Sequence, residues 1–134
     1  MDWKLEVVVV PVANVDRAKH FYSEQVGFVV DHDTQISDEV RFVQLTPPGS
    51  GCSIVVGTGG VQMQPGSLQG LQLVVSDIEA ARTYLLERGV TVSQIQHYEG
   101  ADLVDGRGGD WNAFIFFSDP DGNAWVVQEH PARD

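Results

Sequence analysis

An internal repeat constrains the fold of this chain more than any other feature. The segment at 12–27, VANVDRAKHFYSEQVG, matches VSDIEAARTYLLERG at 75–89 with an offset of 63 residues. A second match, with an offset of 71, joins RFVQLTPPGSGCSIVV at 41–56 to NAFIFFSDPDGNAWVV at 112–127. The two matches occur in the same order in both halves. Each half is therefore predicted to be one strand–helix–strands unit.

Hydrophobic periodicity and turn residues place the elements of both units. Asn14 and Asp77 are predicted to cap one helix each, and Gly27 to end the first. The first strand is rich in β-branched residues and is predicted to be buried on both faces. The predicted strands are 5–12, 28–32, 42–46, 53–56, 71–75, 90–97, 114–117 and 124–129.

Glycine and polar residues mark the segments between these elements. A polar loop is expected at 33–39, a glycine-rich loop at 98–111, and a turn at Asp119–Gly122. Residues 58–67 are predicted to be a linker between a βαβββ module at 1–57 and another at 68–134, together forming a single domain.

Composition excludes several classes of function. The net charge is −11, from 8 Lys and Arg against 19 Asp and Glu, which repels phosphate backbones and anionic membranes. The single cysteine, Cys52, makes no internal disulfide and is expected to be a small core residue in a strand. No secretory signal or membrane span is evident, so a cytoplasmic protein is expected.

The segments PVANVDRAKHFYSEQVGF at 11–28 and FFSDPDGNAWVVQE at 116–129 resemble the vicinal oxygen chelate superfamily, the glyoxalase/bleomycin-resistance/extradiol-dioxygenase group. The resemblance spans nearly the whole chain and implies an α+β fold. In that family two βαβββ modules each curl into a half-barrel, and the pair forms a cup, often at a homodimer interface. Active members usually hold a divalent metal there through His and Glu.

Carried over residue by residue, the ligand positions that the resemblance implies fall on four residues without donor atoms. They are Val7 and Val55 in the first half, with Gly70 and Val126 in the second. Divalent cations need oxygen, nitrogen or sulfur ligands, and none of these side chains offers one. The sequence therefore predicts no metal and no cofactor, and these four positions are predicted to contact a small-molecule ligand instead.

Strand alternation adds Gln72 and Gln128 to the same face as these positions, where their amides would orient a ligand. The alternative is that the two glutamines bond to each other or to backbone. Trp111 follows the glycine-rich loop and would cap a planar ligand by stacking, or else fill the core. Catalytic residues are unknown, since no Ser-His-Asp or Cys-His spacing stands out.

Four other residues leave a non-standard metal site open as an alternative. Glu6 and Glu129 lie one position away from the predicted ligand face, where exposure or pairing with Lys4 or an arginine is expected, although a bulge would turn a carboxylate inward. His97, His130 and Glu129 could form a two-histidine, one-carboxylate site, but their spacing carries no signature.

The sequence favours a metal-free glyoxalase/bleomycin-resistance-like protein that binds a small apolar or aromatic molecule, with sequestration or resistance as its role. An acidic cup would suit a cationic ligand. The alternative is a metal-dependent lyase, isomerase or dioxygenase of the same superfamily, so whether the chain is an enzyme stays open. A filled cup in a structural or regulatory dimer is a third possibility. The family favours a homodimer with a small-molecule ligand, and no nucleic-acid or membrane partner is expected.

Overall fold

A computed structural model describes residues 1–58 and 62–132 of the chain. By their contacts the residues form two compact units, Met1–Leu68 with Asp119–Asn123, and Gln69–Ser118 with Ala124–Asp134. The first unit contains β1 Val7–Pro11, α1 Val15–His20, a π-helical segment Phe21–Val26, β2 Val29–Gln35, β3 Arg41–Thr46 and β4 Ser53–Gly57. The second contains β5 Leu71–Val75, α2 Ile78–Glu87, β6 Gln96–Glu99, β7 Asp102–Asp105, β8 Phe114–Ser118 and β9 Ala124–Glu129.

The sheet of the first unit has the order β1-β4-β3-β2, with β1 parallel to β4 and the other neighbours antiparallel. Helix α1 contacts β3 and β4, and Val10, Leu45 and Val56 are fully buried on that side. The prediction that β1 is buried on both faces is wrong, because Val7 is 39% exposed. Only one face of this sheet is covered by the unit's own helix.

Local capping chemistry sets the ends of the first helical segment. The Asn14 side chain accepts a hydrogen bond from the backbone N–H of Arg17, and Gly27 ends the segment at a φ of 92°. The sequence predicts both ends, because capping depends on residues close in the chain. The change from α to π geometry at Phe21 was not predicted.

The sheet of the second unit has the order β5-β9-β8-β6-β7, again with its first two strands parallel. Asp77 caps α2 by accepting from the backbone N–H of Ala80. Ile78 and Ile115 are fully buried, and the rings of Phe117 and Trp125 stack 6.0 Å apart. The predicted α+β class with two repeated modules is confirmed, and the predicted bounds of β5 and β9 match the structure.

The second unit has one strand more than a βαβββ module, and the predicted strand at 90–97 is largely wrong. The Ser93 hydroxyl accepts from the backbone N–H of Phe116, while Arg82 donates to the Ser93 carbonyl. These side-chain bonds take the place of regular strand pairing around Ser93, so β6 begins only at Gln96. It then pairs with β7, which lies inside the predicted glycine-rich loop.

Other boundaries differ in smaller ways. Strand β2 continues to Gln35, so the predicted polar loop at 33–39 begins later than expected. Cys52 precedes β4 and is partly exposed, so it is not a strand core residue. Residues 59–61 of the predicted linker lie outside the described residues, and the module boundaries stay a prediction. Within the described residues, no helix is long and apolar enough to cross a bilayer.

The turn at 119–123 belongs by its contacts to the first unit. The buried Asp119 carboxylate accepts hydrogen bonds from the Tyr22 hydroxyl at 2.7 Å, from the Asn123 side chain at 2.7 Å, and from the backbone N–H groups of Asp121 and Asn123. The Asn123 amide also donates to the Pro11 carbonyl at 2.8 Å. This polar cluster fixes the turn against the first unit's helical segment.

Candidate functional site

The strand register repeats between the two units in the way the sequence repeat requires. Val9 pairs with Val55 in the first unit, and Gln72 pairs with Val126 in the second. The offset of 63 relates Val9 to Gln72, and the offset of 71 relates Val55 to Val126. Val55 and Val126 therefore occupy equivalent positions of β4 and β9, whereas Val7 begins β1 and its counterpart Gly70 directly precedes β5.

In the first unit Val7 and Val55 lie on the sheet face opposite α1, which we call the first open face. Val9 is the register partner of Val55, and Phe42 lies on the same face of the adjacent strand β3. A pocket of about 490 Å³ adjoins this face. Its lining includes Val9, Pro11, Phe42, Val55, Gly57 and Met63. Its walls are mainly apolar, which is typical of a small-molecule site.

The second open face is the equivalent surface of the second sheet, and aromatic rings cover much of it. The Phe114 ring lies 5.3 Å from Tyr98 in an edge-on arrangement and 6.4 Å from Phe116 in a stacked one. A pocket of about 530 Å³ adjoins this face. Its lining includes Gly70, Thr91, Ser93, Phe116, Ser118 and Val126.

The two glutamines of the second open face hold the segment that carries Trp111. The Gln72 amide donates to Gln128 at 2.7 Å, and the Gln128 amide donates to the Trp111 carbonyl at 2.7 Å. The structure thus shows the pairing that was the alternative to ligand contact. Trp111 has a φ of 63° and is 48% exposed, so its ring does not fill the core.

The residues at the family's metal-ligand positions do not fit a cation. Val7, Val55 and Val126 are aliphatic, and Gly70 has no side chain. A Cβ at Gly70 would meet no atom within 4 Å, so space is open there but no donor fills it. Among residues 1–58 and 62–132, no group of three or more His, Cys, Asp and Glu side chains is placed to hold a metal.

Of the two carboxylates considered for a non-standard metal site, that of Glu129 has other partners. Glu129 accepts from the backbone N–H of Ile78 at 2.8 Å and forms an ion pair with Arg107. These two contacts hold the pKa of Glu129 below its usual range, with the Arg107 hydrogen bond as the larger cause. The expected pairing of Glu129 with an arginine is confirmed. The Glu6 carbonyl accepts from the backbone N–H of Ser53, and the residue is exposed.

The two histidines are likewise engaged by neighbours within their own segments. His97 contacts the Gly106 carbonyl at 2.8 Å and the Glu99 carboxylate at 3.0 Å. The Glu99 hydrogen bond is the larger cause of a raised His97 pKa. His130 contacts the Pro131 carbonyl at 2.8 Å, and its ring lies 6.2 Å from that of Trp111.

A chain of polar groups on the first open face was missed from the sequence. Ser53 is the register partner of Val7 and is 8% exposed. Its hydroxyl lies 2.7 Å from the Thr46 hydroxyl, which in turn bonds to the Asp31 carboxylate. The Gln44 amide completes the chain at 3.4 Å from Ser53. Asp31 joins it because a bulge in β2 inserts one extra residue between Val30 and His32.

The family model described as Glyoxalase/Bleomycin resistance protein/Dioxygenase superfamily matches residues 4–127. The crystal structure of TnmS3, an antibiotic binding protein from Streptomyces sp. CB03234, is 34% identical with a TM-score of 0.76, covering 96% of this chain and 97% of that one.

Two further proteins are similar to this chain along most of its length. A glyoxalase/bleomycin resistance protein from the same Streptomyces strain is 35% identical with a TM-score of 0.72, covering 93% of this chain and 99% of that one. The protein YetH of Bacillus subtilis (strain 168) is 26% identical over 129 residues, which are 94% of this chain and 98% of YetH.

Proposed function

Since this chain belongs to the Glyoxalase/Bleomycin resistance protein/Dioxygenase superfamily, we propose that it binds a small apolar or aromatic molecule on its open sheet faces without a metal ion. Sequestration of a harmful compound is the role that this binding would serve. The antibiotic-binding relative TnmS3 supports a small organic ligand, since it aligns along 96% of this chain.

One observation carries the proposal. The four positions to which the resemblance assigns the family's metal ligands are Val7, Val55, Gly70 and Val126. Val7, Val55 and Val126 lie in β1, β4 and β9, and Gly70 directly precedes β5. Their surroundings are aliphatic and aromatic, with few amide and hydroxyl groups. Apolar walls with a few polar anchors suit an organic ligand, whereas a cation would have no donors.

Metal analysis tests the metal-free part of the proposal. Protein purified without added metal should contain no stoichiometric nickel, zinc, iron or manganese, and calorimetric titration with each should show no tight site. Tight binding of one ion per chain would contradict the proposal and favour the metal-dependent enzyme. Loss of such a site in a Glu129→Gln variant would identify the carboxylate responsible.

Ligand binding is best followed at the tryptophan side chains, because the chain has only 3 of them. Titration of ¹⁵N-labelled protein with 2-naphthalenemethanol should shift the Trp111 indole resonance saturably. It should leave Trp125 nearly unmoved, because that ring is 3% exposed. Trp111→Ala should weaken binding about tenfold, as expected when one stacking partner is lost.

A matched control separates a specific effect of Trp111 from the general effect of removing an exposed ring. Trp3 is 87% exposed and belongs to the first unit, and Trp3→Ala should leave the affinity within twofold. If none of the resonances on either open face shifts with the probe, or if both variants weaken binding equally, the proposed site is wrong.

We also propose that the two modules form a single domain and that the chain is a cytoplasmic homodimer. Strand β1 is an edge strand, and Trp3, Leu5 and Val7 are exposed at alternate positions along its N-terminal extension. Exposed apolar residues beside an unpaired strand edge favour association with another chain. Light scattering coupled to size-exclusion chromatography should give twice the mass of 14.7 kDa.

A further inference from the structure

The polar chain on the first open face has a fixed direction. A carboxylate only accepts hydrogen bonds, so the Thr46 hydroxyl must donate its single proton to Asp31. The Ser53 hydroxyl, 2.7 Å from Thr46, must then donate to Thr46, and it accepts from the Gln44 amide. Every hydroxyl proton of the chain therefore points toward the Asp31 carboxylate.

This direction leaves mainly acceptors available to a ligand. The described hydrogen bonds of Asp31 use only Oδ2, and those of Gln44 use only its Nε2. Three acceptors remain available to a ligand: Asp31 Oδ1, the Gln44 carbonyl oxygen and one lone pair of the Ser53 hydroxyl. Both hydroxyl protons are committed within the chain, and its one uncommitted donor is the second N–H of the Gln44 amide, so it offers little to an anion. Acceptors together with a carboxylate suit a ligand group that donates hydrogen bonds and carries positive charge.

The position of the chain links it to the apolar surface. Ser53 is the register partner of Val7, and Gln44 is the register partner of Val55. The polar chain therefore lies beside two of the residues predicted to contact the ligand. Asp31 is brought to it by the β2 bulge, and bulges commonly re-aim a side chain next to a binding site.

We propose that Gln44, Thr46, Ser53 and Asp31 form a polar anchor that selects ligands bearing a protonated amine on an apolar or aromatic skeleton. This inference rests on the proposed function, because the skeleton binds to the adjoining apolar surface. The anchor adds selectivity for one functional group, which the apolar surface by itself does not provide.

Three probes with one ring system test the anchor. These are 2-naphthylmethylamine, 2-naphthalenemethanol and 2-naphthoate, which present an ammonium, a hydroxyl and a carboxylate at neutral pH. Their dissociation constants are measured by ¹⁵N chemical-shift titration of the full chain, following the backbone amides of Gln44, Thr46 and Ser53. The ammonium should bind about tenfold more tightly than the alcohol, as expected for one charge-assisted hydrogen bond, and the carboxylate most weakly.

Asp31→Asn is the decisive variant, because an asparagine oxygen can still accept from Thr46 while the charge is lost. It should remove the preference for ammonium over alcohol. Asp38→Asn removes the same charge from an exposed loop of the same unit and should keep the preference. The melting temperature of each variant is recorded alongside the affinities.

The outcomes separate this inference from the proposed function. If the alcohol binds but the ammonium shows no preference, or if Asp31→Asn alters the melting temperature and not the preference, the anchor is only a structural tie between strands. In that case the proposed function stands. If no probe shifts any resonance of either open face, the proposed function is wrong and the anchor falls with it.

Discussion

Replacing Tyr22 by phenylalanine should destabilise the first unit by a calculable amount. The Tyr22 side chain is fully buried, and its hydroxyl donates to Asp119 Oδ2 at 2.7 Å. Asp119 is 5% exposed. Phenylalanine keeps the ring, which stacks on Phe28 with centroids 5.8 Å apart. The substitution therefore removes one hydrogen bond and little packing.

The magnitude follows from what remains around the carboxylate. Three other N–H groups still donate to Asp119, so most of the hydrogen bonds that stabilise the buried carboxylate charge are kept. A hydrogen bond to a buried charged group contributes about 1.5–3 kcal/mol. Because three donors remain, we expect a loss near the lower end, about 1.5–2 kcal/mol. Asp119→Asn should lower the free energy of unfolding by more than Tyr22→Phe. Both Asp119 oxygens accept hydrogen bonds, so the NH₂ group of asparagine would face donors in either orientation of the amide.

Urea unfolding followed by circular dichroism and tryptophan fluorescence measures these losses. With a slope of about 1–3 kcal/mol per molar urea, the Tyr22→Phe midpoint should fall by roughly 1 M. Tyr84→Phe is the control, because Tyr84 is 37% exposed and its midpoint should hardly change. Equal midpoints for Tyr22→Phe and wild type would refute the view that the Asp119 carboxylate depends on this donor.

Two other predictions concern a glycine contact and an acidic group. Gly49 and Gly66 both have positive φ, but an added Cβ meets nothing at Gly49 and lies 2.0 Å from the Asp121 carbonyl oxygen at Gly66. Gly49→Ala should cost about 1 kcal/mol in urea unfolding and Gly66→Ala more than twice that; similar losses would contradict the close approach. The hydrogen bond from Arg107 lowers the pKa of Glu129 in the folded protein. The stabilisation by Glu129 is therefore fully present above the ordinary glutamate pKa, and it is lost as the pH falls through the lowered pKa of the folded state. The urea midpoint of Glu129→Gln should therefore decline less on acidification than that of wild type, and equal declines would contradict this contribution.

Features that depend on residues close in the chain could be predicted from the amino-acid sequence. Asn14, Asp77 and Gly27 mark helix ends because capping involves neighbours within one turn. The repeat fixed the equivalence of Val9–Val55 with Gln72–Val126, because both copies keep the same alternation of side chains. It also showed that the family's metal-ligand positions lack donors.

Features that join distant segments could be recognised only in the folded chain. The Asp31–Thr46 bond spans 15 residues and depends on a bulge, and the Tyr22–Asp119 bond spans 97 residues. The short strand β7 forms because β6 offers it a partner, although its segment resembles a loop in glycine content. Such contacts leave no periodic pattern in the sequence, since each depends on which strands the fold brings side by side.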